Sequence, residues 1–266
     1  MLFRSGEDHL SNTPRQKLIN AALGQPSPTY GHLSLITGDD GAPLSKRNGA
    51  RSLRELREAG YLPEAIFNLL FRLGHSSAVL GMHDLATLAQ QFDTAHLGRA
   101  PARFDFAQLE VFQKDAVHAL TPERAAVWMQ AHLPSGLAPE TLRAFVAAIQ
   151  PNVILPREVA EWATVIFGDA APAALADETS ESRQLIREAG REFFLAAAAA
   201  VHASGTDWKA LTTAVRTATN RKGPELFKPL RHALTGVGHG PELAPLLPLI
   251  GASRLQARFE HAATLA

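Results

Sequence analysis

Apolar positions recur at helical spacing along most of this chain. Leu53, Leu56, Leu62, Ile66, Leu69, Leu70 and Leu73 mark two helices split at Gly60. The first opens at Ser52-Leu53-Arg54-Glu55, which has the spacing of a capping box. Upstream, Thr13-Pro14 reads as N-cap and first residue of a helix to about Leu23, closed by Gly24. The extended apolar run Tyr30-Gly31-His32-Leu33-Ser34-Leu35-Ile36 predicts a strand, the only one the pattern defines. A turn, Gly38-Asp39-Asp40-Gly41, follows it. Helices are expected over Asp84–Gln91 and Phe106–Ala119, and another starts at Thr121-Pro122-Glu123. More follow over Glu140–Ile149, Arg157–Phe167, Glu181–Ala203, Asp207–Thr219, Leu226–Leu234, Leu243–Ile250 and Ser253–Ala263. Gly98–Asp105 reads as a connection, Pro134–Pro139 as a break and Asp169–Thr179 as a polar, alanine-rich linker. No sustained heptad or fixed-period repeat stands out. The expected fold is mainly α: a small remnant of an α/β domain followed by all-α domains.

Composition narrows this picture only slightly. The 266 residues suffice for one large or two ordinary domains, and an apolar content of 46% supports real cores. No apolar run approaches the roughly 18 residues a membrane span needs. There is no cysteine, hence no disulfide framework and no thiolate metal site. No secretory signal is visible at the N-terminus, and a cytoplasmic location is expected. The formal net charge is zero, so any nucleic-acid contact must come from a local cluster of cations.

One such cluster follows the strand. Pro43-Leu44-Ser45-Lys46-Arg47-Asn48-Gly49-Ala50 is a small-residue loop between the strand and the helix at Ser52. Lys46 supplies a mobile point charge and Arg47 a planar fork, a pair able to wrap a polyanion. For an isolated Ser-Lys-Arg, a solvated basic turn is the plainer reading. Glu7-Asp8-His9 could suggest a metal site, but carboxylates favouring a coming helix N-terminus explain it more simply. Arg51, Arg54 and Arg57 share one helical side. They suit either an RNA backbone or a solvated face paired with Glu55 and Glu58. No Gly-x-Ser-x-Gly elbow supports a hydrolase, and the eleven histidines are scattered. No His-x-x-x-His pair with a nearby Glu supports zinc, so His32 and His118 read as core or surface residues.

Several motifs occur together in order. Gly6-Glu7-Asp8-His9-Leu10-Ser11-Asn12-Thr13-Pro14-Arg15-Gln16 precedes the basic loop. Gly60-Tyr61-Leu62-Pro63-Glu64-Ala65 and Asn68-Leu69-Leu70 follow it, and Phe227-Lys228-Pro229-Leu230-Arg231-His232-Ala233-Leu234-Thr235-Gly236 lies near the end. In order and spacing these resemble the glutamyl-tRNA synthetases, class I aminoacyl-tRNA synthetases, over almost the whole chain. The resemblance implies residues 1–50 as the remnant of a Rossmann-like catalytic domain with its nucleotide loop. It implies 51–133 as a helical stem-contact domain and 134–266 as a helical anticodon-binding region, with a soft boundary near 169–180.

The resemblance further implies ATP, with Mg2+ carried on its phosphates, L-glutamate, and tRNA(Glu) or also tRNA(Gln), on a monomer with no metal of its own. Lys46 would contact ATP, with Ser45 and Arg47 shaping the loop. Asp8 and the main chain near Ile36 would line the ATP site. Arg231, Leu243, Gly240 and Asn152 would meet the anticodon, with ordinary helix packing as the plainer alternative for Arg231. Four positions depart from the family pattern. Pro43 replaces the loop's first lysine, and Ser5 stands where the family places its substrate-carboxylate arginine. Gly240 replaces a polar residue. Asn152 stands where enzymes restricted to glutamate tRNA tend to carry an arginine. Leu2-Phe3-Arg4-Ser5 fits the family poorly, so the native coding sequence is expected to start near Gly6. The chain is then expected to be the C-terminal portion of a longer ligase, inactive alone for want of half its active site. The different-class alternative is a non-catalytic tRNA-binding module.

Overall fold

The computed structural model describes residues 2–38, 40–44, 52–76 and 81–266. The chain forms two compact units, Met1–Ala119 and Leu120–Ala266.

In the first unit, β1 (Leu2–Gly6) runs parallel to β2 (Thr29–Leu33), with Leu2 opposite Thr29 and Gly6 opposite Leu33. The connection between them carries a 3-10 turn, Glu7–Asn12, and α1 (Thr13–Ala22). β3 (Ile36–Thr37) pairs in parallel with β4 (Ala102–Arg103). The expected single strand is thus two, interrupted at Ser34-Leu35, and β1 and β4 are additional. The interruption has a cause: Leu35 N–H turns to the Glu7 carboxylate (3.2 Å), while Leu35 C=O accepts from Ala102 N (3.0 Å). Asn12, not Thr13, precedes α1, because the 3-10 turn runs straight into the helix and Asn12 already has helical dihedrals.

Beyond the sheets lie α2 (Leu53–Glu58), α3 (Pro63–Arg72), α4 (Leu85–Gln91) and α5 (Phe106–His118). The capping box at Ser52 and Glu55 is formed in both directions. Ala65, Leu69, Leu109 and Val117 are buried where α3 packs on α5, and Leu56 is the buried residue of α2. Two buried amides stitch this core. Gln113 accepts from Leu62 N (2.8 Å) and donates to Gly60 C=O (3.3 Å), fixing the joint between α2 and α3. Asn68 donates to His83 C=O (2.8 Å) and accepts from His83 N (3.0 Å), tying the approach to α4 onto α3.

The second unit is helical throughout. It comprises α6 (Pro122–Met129), α7 (Pro139–Ile149), α8 (Pro156–Phe167), α9 (Glu181–Ala189) and α10 (Arg191–Ser204). It continues with α11 (Trp208–Thr219), α12 (Pro224–Thr235), α13 (Leu243–Ile250) and α14 (Ala252–Leu265). Proline is the first residue of α6, α7, α8 and α12, where its missing N–H costs nothing. α10 packs on α11 and α14, and Phe145, Phe194 and Phe259 are fully buried.

Three features differ from expectation. The helix expected over 181–203 breaks at Gly190, whose φ of 79° no continuing helix allows. Arg221 donates to Ala189 C=O at that break (2.8 Å) and lies over the Phe193 ring. The stretch expected as a linker is folded: Leu175 is buried, and Ser180 Oγ donates to Ala174 C=O (2.7 Å). Finally, α6 packs with α7 and α8, so residues 120–133 lie in the second unit.

Candidate functional site

At the carboxyl ends of β1 and β2, His32 joins three elements. Its Nδ1 pairs with Ser5 Oγ at 3.0 Å and its Nε2 with Thr13 Oγ1 at 2.9 Å. Ser5, at the position of the expected arginine, is therefore committed to a neighbouring strand. Asp8 lies in the first 3-10 turn, its exposed carboxylate 3.6 Å from His9 Nε2. Its Oδ1 sits against Gly6, in the space a side chain there would fill, and Gly6 also faces Leu35. Glu7, beside it, holds Leu35 N–H as described above. Ile36 is half-buried, and its carbonyl accepts from Leu44 N at 2.9 Å. Thr37 bridges Pro43 in antiparallel sense, and Gly38 N donates to Ala42 C=O (2.9 Å). The entrance of the basic loop is thus folded back onto β3, next to the Ile36 main chain. Ser45, Lys46 and Arg47 themselves lie outside the described residues, as does Arg51. Arg54 and Arg57 are exposed on α2.

In the second unit, α12 delivers Arg231 to the loop that follows it. Arg231 Nη2 donates to Pro241 C=O at 3.0 Å, while Nη1 is shielded from solvent with no acceptor. Burial pushes its pKa below the ordinary arginine value. Gly238, His239 and Gly240 are exposed. Gly240 has φ 118°, and the space its side chain would fill is taken by the six-membered ring of Trp162 on α8. Leu243, opening α13, is only 5% exposed, so in the free chain it is a core residue. Asn152 is exposed in the turn before α8, and its amide donates to Ala148 C=O at 3.5 Å. Arg231, Gly240 and Leu243 therefore surround one loop. Asn152 lies in the turn before α8, with no bond to the others among the described residues.

Behind that loop are residues the motifs did not single out. His232 is buried, and its Nδ1 lies 2.8 Å from Ser182 Oγ, which donates to Gly236 C=O at 2.7 Å. The hydroxyl proton is thereby used, so His232 Nδ1–H must be the donor of the pair. Burial lowers the His232 pKa, opposed by Glu181 and reinforced by Arg231 and Lys228. Arg258 on α14 is also buried. It donates to Leu234 C=O (2.9 Å), Val165 C=O (2.5 Å) and Gly168 C=O (3.1 Å). These carbonyls end α12 and α8, so two negative helix ends converge on one guanidinium. A solitary Ser, His or Arg in a helical pattern carries no signal of such pairing. Among the described residues no group of three or more His, Cys, Asp or Glu could hold a metal ion, and no helix is long and apolar enough to cross a membrane.

Comparison with known proteins meets this geometry on both units. Residues 3–111 match the model described as tRNA synthetases class I (E and Q), catalytic domain. Residues 116–263 match an anticodon binding domain. The chain is 50% identical over 256 residues to glutamate–tRNA ligase 2 of Nitrosococcus oceani, covering 96% of this chain and 53% of the relative. It is 50% identical over 264 residues to glutamate–tRNA ligase 2 of Acidithiobacillus ferrooxidans, covering 98% and 53%. It thus spans about half the length of the curated relatives it matches. Among solved structures, a glutamate-tRNA synthetase from Elizabethkingia anophelis superposes with TM-score 0.81 at 21% identity, covering 99% of this chain and 57% of that one. A glutamate tRNA ligase from Elizabethkingia meningosepticum, solved in complex with its amino acid, gives TM-score 0.77 at 22% identity with the same coverage of 99% and 57%. The chain belongs to the glutamyl-tRNA synthetase family of class I aminoacyl-tRNA synthetases.

Proposed function

We propose that this chain serves the ATP-dependent attachment of glutamate to tRNA, the first unit holding nucleotide and the tRNA stem, the second reading the anticodon. The observation that carries the nucleotide half is the fold-back of Pro43-Leu44 onto β3, which starts the Lys46 loop beside the Ile36 main chain. In activation, a glutamate carboxylate oxygen attacks the α-phosphorus of ATP and pyrophosphate leaves. The tRNA 3′-terminal hydroxyl then attacks the activated carbonyl, and AMP leaves. Negative charge grows on phosphate oxygens, so Lys46 closing over them lowers the barrier. Ser45 and Arg47 shape the loop, Asp8 and the Ile36 main chain line the nucleotide, and Mg2+ travels on the phosphates. With Pro43 in place of a lysine, the loop has one cation fewer and leans more on Lys46. The anticodon would be met by Arg231, Gly240 and Leu243, with Asn152 at its third base and tRNA(Glu) or tRNA(Gln) as substrate. The chain acts as a monomer, with the helices of the first unit contacting the stem and the second unit the anticodon.

One observation favours a second reading, a tRNA-binding module without its own catalysis. Among the described residues the parallel sheet of β1 and β2 has two strands, and α1 buries none of its residues. Such a sheet is marginal without cover on its faces and offers one wall of a site rather than a cleft. Ser5, bound to His32, also leaves that wall without the arginine expected there. Two assays on the 266-residue chain separate the readings. It should bind a tRNA(Glu) transcript with steep salt dependence and show no glutamate-dependent pyrophosphate exchange into ATP. Exchange at the level of a full-length relative would discard the module reading. Absence of tRNA binding would discard both.

A further inference from the structure

We propose that Trp162 is the stacking platform for one unpaired base of the anticodon, and so a residue that helps set RNA specificity. The inference rests on the anticodon reading above. Gly240 lies among Gly238, His239 and Gly240, the exposed turn beside Arg231. In place of a side chain at 240 the site has the Trp162 indole, reaching across from α8. A polar group at 240 would have offered a hydrogen bond; the indole offers a flat apolar face and one donor. Trp162 is half-buried, so part of it stays open to solvent. No hydrogen bond of the described residues uses its indole N–H, and that atom is not closed off from water. Beside it, Arg231 keeps one shielded N–H without an acceptor. A half-open indole with an unused donor at an exposed turn matches one way unpaired bases are held: stacked on an aromatic side chain.

Gly240 and Trp162 form one device. Any L-residue at 240 meets both an unfavourable φ of 118° and the indole ring. The glycine therefore lets the platform reach the loop.

The test uses the whole chain labelled with 5-fluorotryptophan, which places one fluorine each on Trp128, Trp162 and Trp208. The Trp162 resonance is assigned from Trp162→Phe. On titration with an RNA stem-loop carrying the UUC anticodon, the Trp162 signal should shift. An abasic nucleotide at the stacked position should abolish that shift. Trp162→Leu should weaken binding by about 5- to 150-fold, the range for one lost stacked base. Trp162→Phe keeps a ring and should lose less. A Trp162 signal that stays still while the RNA binds would overturn the proposal and leave the anticodon reading standing. Failure of the stem-loop to bind at all would end both. If Trp162→Leu unfolds, shown by loss of helical circular dichroism, the fluorine shift of the unaltered chain decides alone.

Discussion

Arg258 should be the costliest single cation to remove from this chain. It is 2% exposed, carries no carboxylate partner on its three bonded nitrogen–oxygen contacts, and ties α14 to the ends of α8 and α12. Burial, with Arg254 adding to it and Asp169 opposing, lowers its pKa to about 10, so it remains charged at neutral pH. Arg258→Met fills much of the same volume and removes all three bonds. Charge-assisted bonds are worth about 1.5–3 kcal/mol each, a gross loss of about 4.5–9 kcal/mol. Relieving a buried charge of its desolvation returns several kcal/mol. The net expectation is about 2–4 kcal/mol of lost stability. With a urea slope of about 2 kcal/mol per molar, the midpoint for the second unit should fall by about 1–2 M. Arg258→Lys keeps the charge, but a point donor cannot span three carbonyls, so it should also be destabilised. Circular dichroism in urea reads both variants. A midpoint for Arg258→Met within about 0.25 M of the unaltered chain would show that the convergence of helix ends on Arg258 stabilises nothing.

The buried histidine gives a pH test. His232 has a folded pKa below 6.5, so under pH 6.5 the unfolded chain binds a proton that the folded chain resists. Stability should then fall as pH drops through 6.5 until the folded pKa is reached, and His232→Gln should flatten that slope. An identical slope in the variant would exclude His232 as its source. At the other end of α8, Asn152→Arg should sharpen discrimination at the third anticodon base. Comparing stem-loops with C and G there should show a ratio changed by about 5- to 150-fold, and an unchanged ratio would remove Asn152 from the site. Gly240→Ala should weaken stem-loop binding, because the new methyl group displaces Trp162. Unchanged affinity would mean that the loop and the indole are not coupled in recognition.

Local chemistry was legible where it acts within a few residues. The Ser52–Glu55 capping box and the proline start of α6 depend only on neighbours, and they are formed. Longer-range facts were not. Leu2–Gly6 shows no strand signature by itself and becomes β1 by pairing with β2. Ser34-Leu35 reads as part of a strand, yet Glu7 and Ala102 draw its backbone bonds away from β2. Glu188-Ala189-Gly190-Arg191-Glu192 has helix formers on both sides of a glycine, and only the positive φ reveals the break. The resemblance marked Arg231 and Gly240, but not what each touches. Trp162 and Arg258 reach their partners through tertiary packing, across long separations that periodicity does not encode. Leu243, expected from the resemblance to meet the anticodon, is buried in the free chain, so contact with RNA there would require the start of α13 to shift.

The anticodon reading of the second unit turns on Arg231. Its affinity for a UUC-anticodon stem-loop can be measured by fluorescence anisotropy at one fixed salt concentration, for the unaltered chain and for Arg231→Ala. Arg231→Ala should weaken binding by about 5- to 150-fold, since one base contact worth about 1–3 kcal/mol is lost. Helical circular dichroism should be retained. Equal affinity of the two proteins would contradict the assignment and leave Arg231 as no more than the pin that holds Pro241.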